Sequence, residues 1–286
     1  MRSAIDVGLP LVIMLAMTVV GLELTLQDLR RVLHYPVHVA VALFGQVVVL
    51  PLVAAMLILL LHPEPAIAGG LILAATAPQA PSSSYYCLLA RADIALSVTL
   101  TAVSSALAVV STPLIAGLAF TLLLEQQAGL VLPVGKVMQQ VVTGLLLPVT
   151  AGMLVRHYAA GFVERNRARF QRGTLGAMLV MLALLGVDQA DTIWRNLGSI
   201  VFVAVAFTLG ASALGFGFSK ALSWNREETV TLVAGFPSRS LSIAALIAVN
   251  VLGRLEFLSF AVVVFVVQAL LLVPGMILFR NAGSRL

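Results

Sequence analysis

Residues 37 to 61, VHVAVALFGQVVVLPLVAAMLILLL, contain no Asp, Glu, Lys or Arg. About 20 apolar residues in a helix span a bilayer core of about 30 Å. Within that core every backbone N–H and C=O must find its partner inside the protein, and a helix does this within one segment. The run therefore reads as a membrane-spanning helix, and it has company at 8–27, 66–91, 94–124, 130–155, 173–188, 197–221, 229–250 and 255–280. The composition agrees: 60% of residues are hydrophobic and 10% charged, with a mean hydropathy of +1.07, whereas a soluble domain is roughly 45–50% apolar. The expected fold class is an all-α, multi-pass integral membrane protein of about nine transmembrane helices. The opening MRSAIDVGLPLVIMLAMTVVGLEL reads as the first span, because it carries one Arg and an Asp, Arg2 and Asp6, and its apolar core is too long for a cleavable signal peptide. The single cysteine, Cys87, excludes an internal disulfide and a multi-cysteine metal site.

A net charge of +5 does not point to nucleic acid, because the charges fall between the apolar runs. Basic residues are retained on the cytoplasmic side of a membrane. With the C-terminus inside, twelve of the 17 Lys and Arg lie on that side, among them Arg30, Arg31, Arg91, Lys220, Arg226 and the run ERNRARFQR at 164–172. Arg2, Lys136, Arg195 and Arg254 lie outside. The expected topology is N-terminus outside and C-terminus cytoplasmic, in a cell (inner) membrane, with the 164–172 run as a loop anchor.

Two of the nine stretches are interrupted. The third holds Pro78, Pro81 and Ser82 to Ser84, and the eighth holds Gly235, Pro237 and Ser238. Proline removes a donor and clashes with the preceding turn, and such breaks are tolerated in a bilayer only where protein or a wet cavity surrounds them. By the predicted topology the third span runs inward and the eighth outward. Each is followed by a span with a proline at comparable distance, Pro113 and Pro274. Corresponding broken segments in two antiparallel halves predict an inverted repeat, four spans and then five, with a transport site at the membrane midplane. Simple proline kinks are the alternative. The second half of each broken helix would start at serines, Ser82, Ser83 and Ser84 or Ser238, Ser240 and Ser242, which are favoured N-caps. Two helix N-termini meeting there would make an anion site. Arg239 lies within the eighth stretch, and an ionisable residue at that depth marks a functional site. Its expected roles are recognition of a planar carboxylate and a lock on carbonyls freed by the breaks.

SSSYYCLLARADIALSVTLTAVSSALAVVSTPL (82–114), GLELTLQDL (21–29) and FGQVVVLPL (44–52) resemble the bile acid:sodium symporter family, in its nine-span form. The resemblance implies a panel domain (8–27, 130–155 and 173–188) and a core domain (37–124 and 197–280), with two unwound helices crossing in the core. It also implies two sodium sites. Their ligands would be matched by Gln46, Ser83, Ser97 and Thr101, with Ser84 in place of an Asn. In the second half the shared carboxylate is replaced by Val233, and the amides by Pro237 and Ser238. A cation ~4 Å from Arg239 would be repelled by roughly 4 kcal/mol at an effective dielectric near 20. No cofactor is implied, and sodium is expected to bind weakly or not at all.

The resulting expectation is a secondary transporter, not an enzyme, that carries a small or amphipathic organic anion by alternating access without obligatory sodium coupling. Its substrate would meet Ser82, Ser83, Ser84, Phe236, Ser238, Arg239 and Ser240. The rival readings are a sodium- or proton-coupled symporter of the same family and a transport-inactive receptor or scaffold. For proton coupling, Glu23 is the deepest carboxylate, whereas Asp28, Asp188 and Asp191 read as solvated span ends, and Glu227 and Glu228 suit the start of the eighth span. His34, His38, His62 and His157 fall in loops or at span ends, in no metal-binding pattern. Tyr85 and Tyr86 flank the first break as cavity or packing residues.

Overall fold

A computed structural model describes residues 2–23, 36–124 and 133–283. Every regular element in it is helical. In chain order these are α1 (Arg2–Glu23), α2 (Pro36–Leu61), α3 (Pro65–Thr76), α4 (Ser82–Ala90), α5 (Ile94–Leu123), α6 (Val134–Tyr158), α7 (Ala160–Asp188), α8 (Ala190–Ala221), α9 (Arg226–Gly235), α10 (Leu241–Asn250) and α11 (Leu258–Gly283). Among the described residues six helices are long and apolar enough to cross a membrane: α2, α5, α6, α7 from Ala168, α8, and α11 with the 3-10 turn before it. Pro65–Thr76 and Leu241–Asn250 are apolar but shorter.

These helices turn large apolar side chains outward, including Leu60, Leu122, Leu270 and Leu278, each more than two-thirds exposed. In water such a surface would be costly, whereas against acyl chains it needs no cover. The interior is built around the two short helix pairs. All of α3 from Ile67 to Thr76 and all of α10 from Leu241 to Ala248 are buried, because α3 packs on α11, α2, α5 and α10. On the opposite side α1 packs most extensively on α6 and then α7.

Local sequence explains several boundaries. The helix α4 ends at Arg91, which takes a left-handed φ of 55°, and the Asp93 side chain then accepts from the Leu96 N–H at 2.9 Å to start α5. The α9 start is a capping box between Asn225 and Glu228, which is why acidic residues stand there. The 164–172 run corrects the loop expected from its charge: it is helical, as the first part of α7. It contains no Gly or Pro, its Glu, Arg and Ala residues favour helix, and Val163 and Phe170 pack against Val19 and Leu22.

Candidate functional site

The chain leaves helical geometry at Ala77, whose ψ is 153°, and re-enters it at Ser82. It leaves again after Phe236 and re-enters at Leu241. The two extended segments lie across one another, with Gln79 and Arg239 facing each other in an antiparallel bridge. The Ala80 N–H donates to the Ser238 carbonyl and the Ser240 N–H to the Pro78 carbonyl, both at 2.9 Å. Each break thus supplies the backbone partners that the other lost, which is what a low-dielectric interior requires.

Side chains cover the remaining carbonyls. Thr112 Oγ1 donates to Thr76 O at 2.8 Å, Gln268 Nε2 to Pro237 O at 2.6 Å, Ser238 Oγ to Ala234 O at 2.6 Å, and Ser212 Oγ to Val233 O at 3.1 Å. Arg239 Nη2 donates to Ala77 O.

Arg239 is 5% exposed. Among the described residues no carboxylate lies within ion-pair distance of it, and its hydrogen-bond partners there are neutral dipoles. Nη1 donates to Gln46 Oε1 at 3.3 Å, Gln46 Nε2 donates to Gln79 Oε1 at 2.7 Å, and Gln79 Nε2 reaches Ser83 Oγ at 2.9 Å and Ser97 O and Thr101 Oγ1 at 3.4 Å. A guanidinium only donates and a carbonyl only accepts, so the two ends set the direction of both amides between them.

Beside the crossing lies a cavity of about 300 Å³. Its walls are the first turns of α4 and α10 (Pro81, Ser82, Tyr85, Tyr86, Ser240, Leu241, Ser242), α1 (Met17, Val20), α7 (Thr174, Leu179, Leu182), α11 (Phe265, Gln268) and Arg239. Among the described residues two buried side-chain polar atoms lack a hydrogen-bond partner, Thr174 Oγ1 and Arg239 Nε. Both belong to residues that line this cavity.

The sequence-predicted site residues divide into three groups. Ser82, Arg239 and Ser240 reach the cavity, as does Ser242. Ser83 and Ser84 turn toward Ser97, at 2.9 and 3.2 Å, and join Thr101, Gln79 and Gln46 instead. Phe236 and Ser238 stand on neither: Phe236 is fully buried against Phe218, with ring centroids 6.0 Å apart, and Ser238 is bonded back into α9. Val233 packs among Cys87, Val230 and Ala234, and Pro237 contributes its carbonyl to Gln268. The expected serine caps do not form. Pro81 occupies the cap position of α4, where the Ser83 and Ser84 N–H groups donate to the Ala80 and Pro81 carbonyls, and Ser240 caps α10 by position without a side-chain bond.

Sequence reasoning missed Gln79, Gln268 and Ser104, whose Oγ accepts from the Gln79 N–H at 3.1 Å. An amide between Pro78 and Pro81 inside an apolar run was the available signal. Of the other candidates, Glu23 ends α1 and its side chain lies outside the described residues, as do Asp28 and His34. Asp188 accepts from Gln189 at 2.9 Å, while Asp191 is exposed at the start of α8. His38 stacks on Trp224 and lies 3.6 Å from Glu228. His157 contacts Tyr158, and His62 ends α2.

Comparison with known proteins adds an independent line. Residues 10–196 match the profile described as Sodium Bile acid symporter family. Relatives include "Probable sodium/metabolite cotransporter BASS2, chloroplastic" of Oryza sativa subsp. japonica, 29% identical over 226 residues, covering 77% of this chain and 52% of the relative. "Uncharacterized sodium-dependent transporter YocS" of Bacillus subtilis (strain 168) is 26% identical over 238 residues, covering 81% and 72%. A "Probable sodium/metabolite cotransporter BASS1, chloroplastic" of rice is 33% identical, covering 78% and 54%. The chain spans about half the length of the plant relatives named here.

Proposed function

Because the chain belongs to the Sodium Bile acid symporter family, we propose that it is a secondary transporter that carries a small or amphipathic organic anion across a cell membrane by alternating access. No sodium is obligatory in this scheme. The observation that carries the proposal is the Arg239 guanidinium, buried in the wall of a cavity of about 300 Å³ with no carboxylate among the described residues within ion-pair distance. That volume is of the order of known small-molecule sites.

In this reading a carboxylate lies at the first turns of α4 and α10, whose partial positive charge favours an anion, with the Ser82, Ser240 and Ser242 hydroxyls beside it; the Ser83 and Ser84 N–H groups already donate to the Ala80 and Pro81 carbonyls. The apolar remainder rests on Met17, Val20, Leu179 and Phe265. Both Nη atoms of Arg239 point to Gln46 and Ala77, so the arginine acts as a fixed charge behind the site and not as a two-pronged clamp. A charge ~6 Å away still contributes roughly 3 kcal/mol at an effective dielectric near 20. The same field disfavours a sodium ion at the crossing, where Val233 offers no carboxylate.

The proposed architecture has nine crossings, with α3–α4 and α9–α10 each one broken span, arranged as an inverted repeat of four and five. The reciprocal bonding about Gln79 and Arg239 supports that repeat. The panel would be α1, α6 and α7, and the core α2 to α5 with α8 to α11. The packing of α1 on α6 and α7 and the position of the cavity between α1, α7 and the breaks support this division. The N-terminus is assigned outside and the C-terminus in the cytoplasm from the arginine distribution.

The test is uptake into proteoliposomes of organic anions first selected by thermal stabilisation of the purified chain. Anion uptake that is equal with and without a sodium gradient is expected. A strict sodium requirement overturns the sodium-free reading, and no uptake of any stabilising anion favours a receptor.

A further inference from the structure

The oxygens that surround Gln79 Nε2 form a set in their own right. Ser83 Oγ, Ser97 O and Thr101 Oγ1 come from the start of α4 and one turn of α5, and they converge on that single nitrogen at 2.9, 3.4 and 3.4 Å. Ser97 Oγ is 2.9 Å from Ser83 Oγ. All three residues are buried, at 0, 0 and 3% exposure. Several inward-facing neutral oxygens around one point are the donor set that hard cations select. Here the point is taken by an amide N–H₂, which satisfies the oxygens with two protons.

Gln79 is held in this position on three sides. Its Oε1 accepts from Gln46, its backbone is pinned by the bridge to Arg239, and its side chain lies over Gly235, where a Cβ would come within 3.0 Å of Oε1. We propose that Gln79 closes the position among Ser83, Ser97 and Thr101 that the family resemblance assigns to sodium, so that the residues present do not fit that ion and the chain carries its own substitute for it. This rests on the sodium-free transport reading and explains how the first break is satisfied without sodium.

The experiment follows thermal unfolding of the purified full chain in sodium, potassium or choline chloride, with no transported anion present. The variants are Arg239→Gln, Gln79→Ala/Arg239→Gln, and the latter with Thr101→Ala added. Removing the arginine lowers repulsion, and removing the glutamine opens the site. The double variant should gain a sodium-selective rise of about 2–4 °C in apparent Tm. The native chain and Arg239→Gln should show none, and Thr101→Ala should abolish the gain. A double variant indifferent to sodium overturns the proposal, and so does an equal sodium response in Arg239→Gln with Gln79 intact. If the double variant does not fold, Gln79→Ala alone, titrated to higher sodium, is judged by the same criteria. The transport reading fails in uptake and this proposal fails in melting, so the two failures are told apart.

Discussion

The first break, at 77–81, and the second, at 236–240, meet in one bridge and exchange the same pair of backbone bonds, yet their side chains finish them differently. The first places a neutral amide, Gln79, among hydroxyls and a carbonyl. The second places a permanent charge, Arg239, against one amide oxygen and one carbonyl. Once the backbones satisfy each other, the facing side chains are free to specialise: one seals a cradle of oxygens, and the other sets the potential of the cavity. Gln46 joins the two, accepting from Arg239 and donating to Gln79.

This contrast can be broken most severely at the charge. Arg239→Ala deletes two charge-assisted bonds worth roughly 1.5–3 kcal/mol each and strips Ala77 O and Gln46 of their donor. Anion uptake should fall below detection, and unfolding should shift to lower temperature. Uptake at native level in proteoliposomes would separate the charge from transport. A change on the neutral side should cost less. Gln79→Leu keeps the bulk but removes the amide donor to Ser83 Oγ and Thr101 Oγ1 and the acceptor of Gln46 Nε2, while Ser97 O keeps its bond from Thr101 Oγ1, so a loss of roughly 1–3 kcal/mol of stability is expected, read by thermal or denaturant unfolding.

A change between the two breaks should be smaller again. Gly235→Ala brings a methyl within 3.0 Å of Gln79 Oε1, and overpacking of this kind costs about 1–3 kcal/mol. The lower end is expected, because the amide is the far end of a flexible side chain. Its signature would be a partial loss that Gln79→Ala relieves in the double variant. The smallest effect on stability is expected at the cavity wall. Ser82→Ala removes one hydroxyl donor to the substrate carboxylate, a bond to a charged group worth about 1.5 kcal/mol at the low end, which should raise KM roughly tenfold while leaving the melting temperature unchanged. An equal fall in stability would place Ser82 in the scaffold.

Much of this was legible in the chain itself. The apolar runs set where helices lie, and Pro78, Pro81 and Pro237 marked where they stop. Arg239 stood out because a charge in such a run must be held by something. Gln46, Ser83, Ser97 and Thr101 were named from the family resemblance, and they do come together. Gln79 carries one local signal, its place between Pro78 and Pro81, but its role stays hidden in the sequence because most of its partners lie 18 to 33 residues away. The sequence places Ser238 at the cavity as a helix-capping serine and Phe236 there because it flanks the second break. A broken helix sends adjacent side chains in different directions, and these two turned into the packed interior. Charge alone makes the basic run at 164–172 look like a loop, though its residues favour helix and nothing in it stops one.

The membrane class, the positions of the helices and the places where two of them must break follow from the sequence, because hydropathy and proline act locally and need no partner. What those breaks become was decided only by folding. Backbone groups freed at each break are satisfied in part by the other break, more than 150 residues away, and that pairing brings Arg239 to Gln46 and Gln79 to the α5 hydroxyls. Long-range hydrogen bonds in a low-dielectric interior choose their partners by geometry, and geometry exists only once the helices have packed.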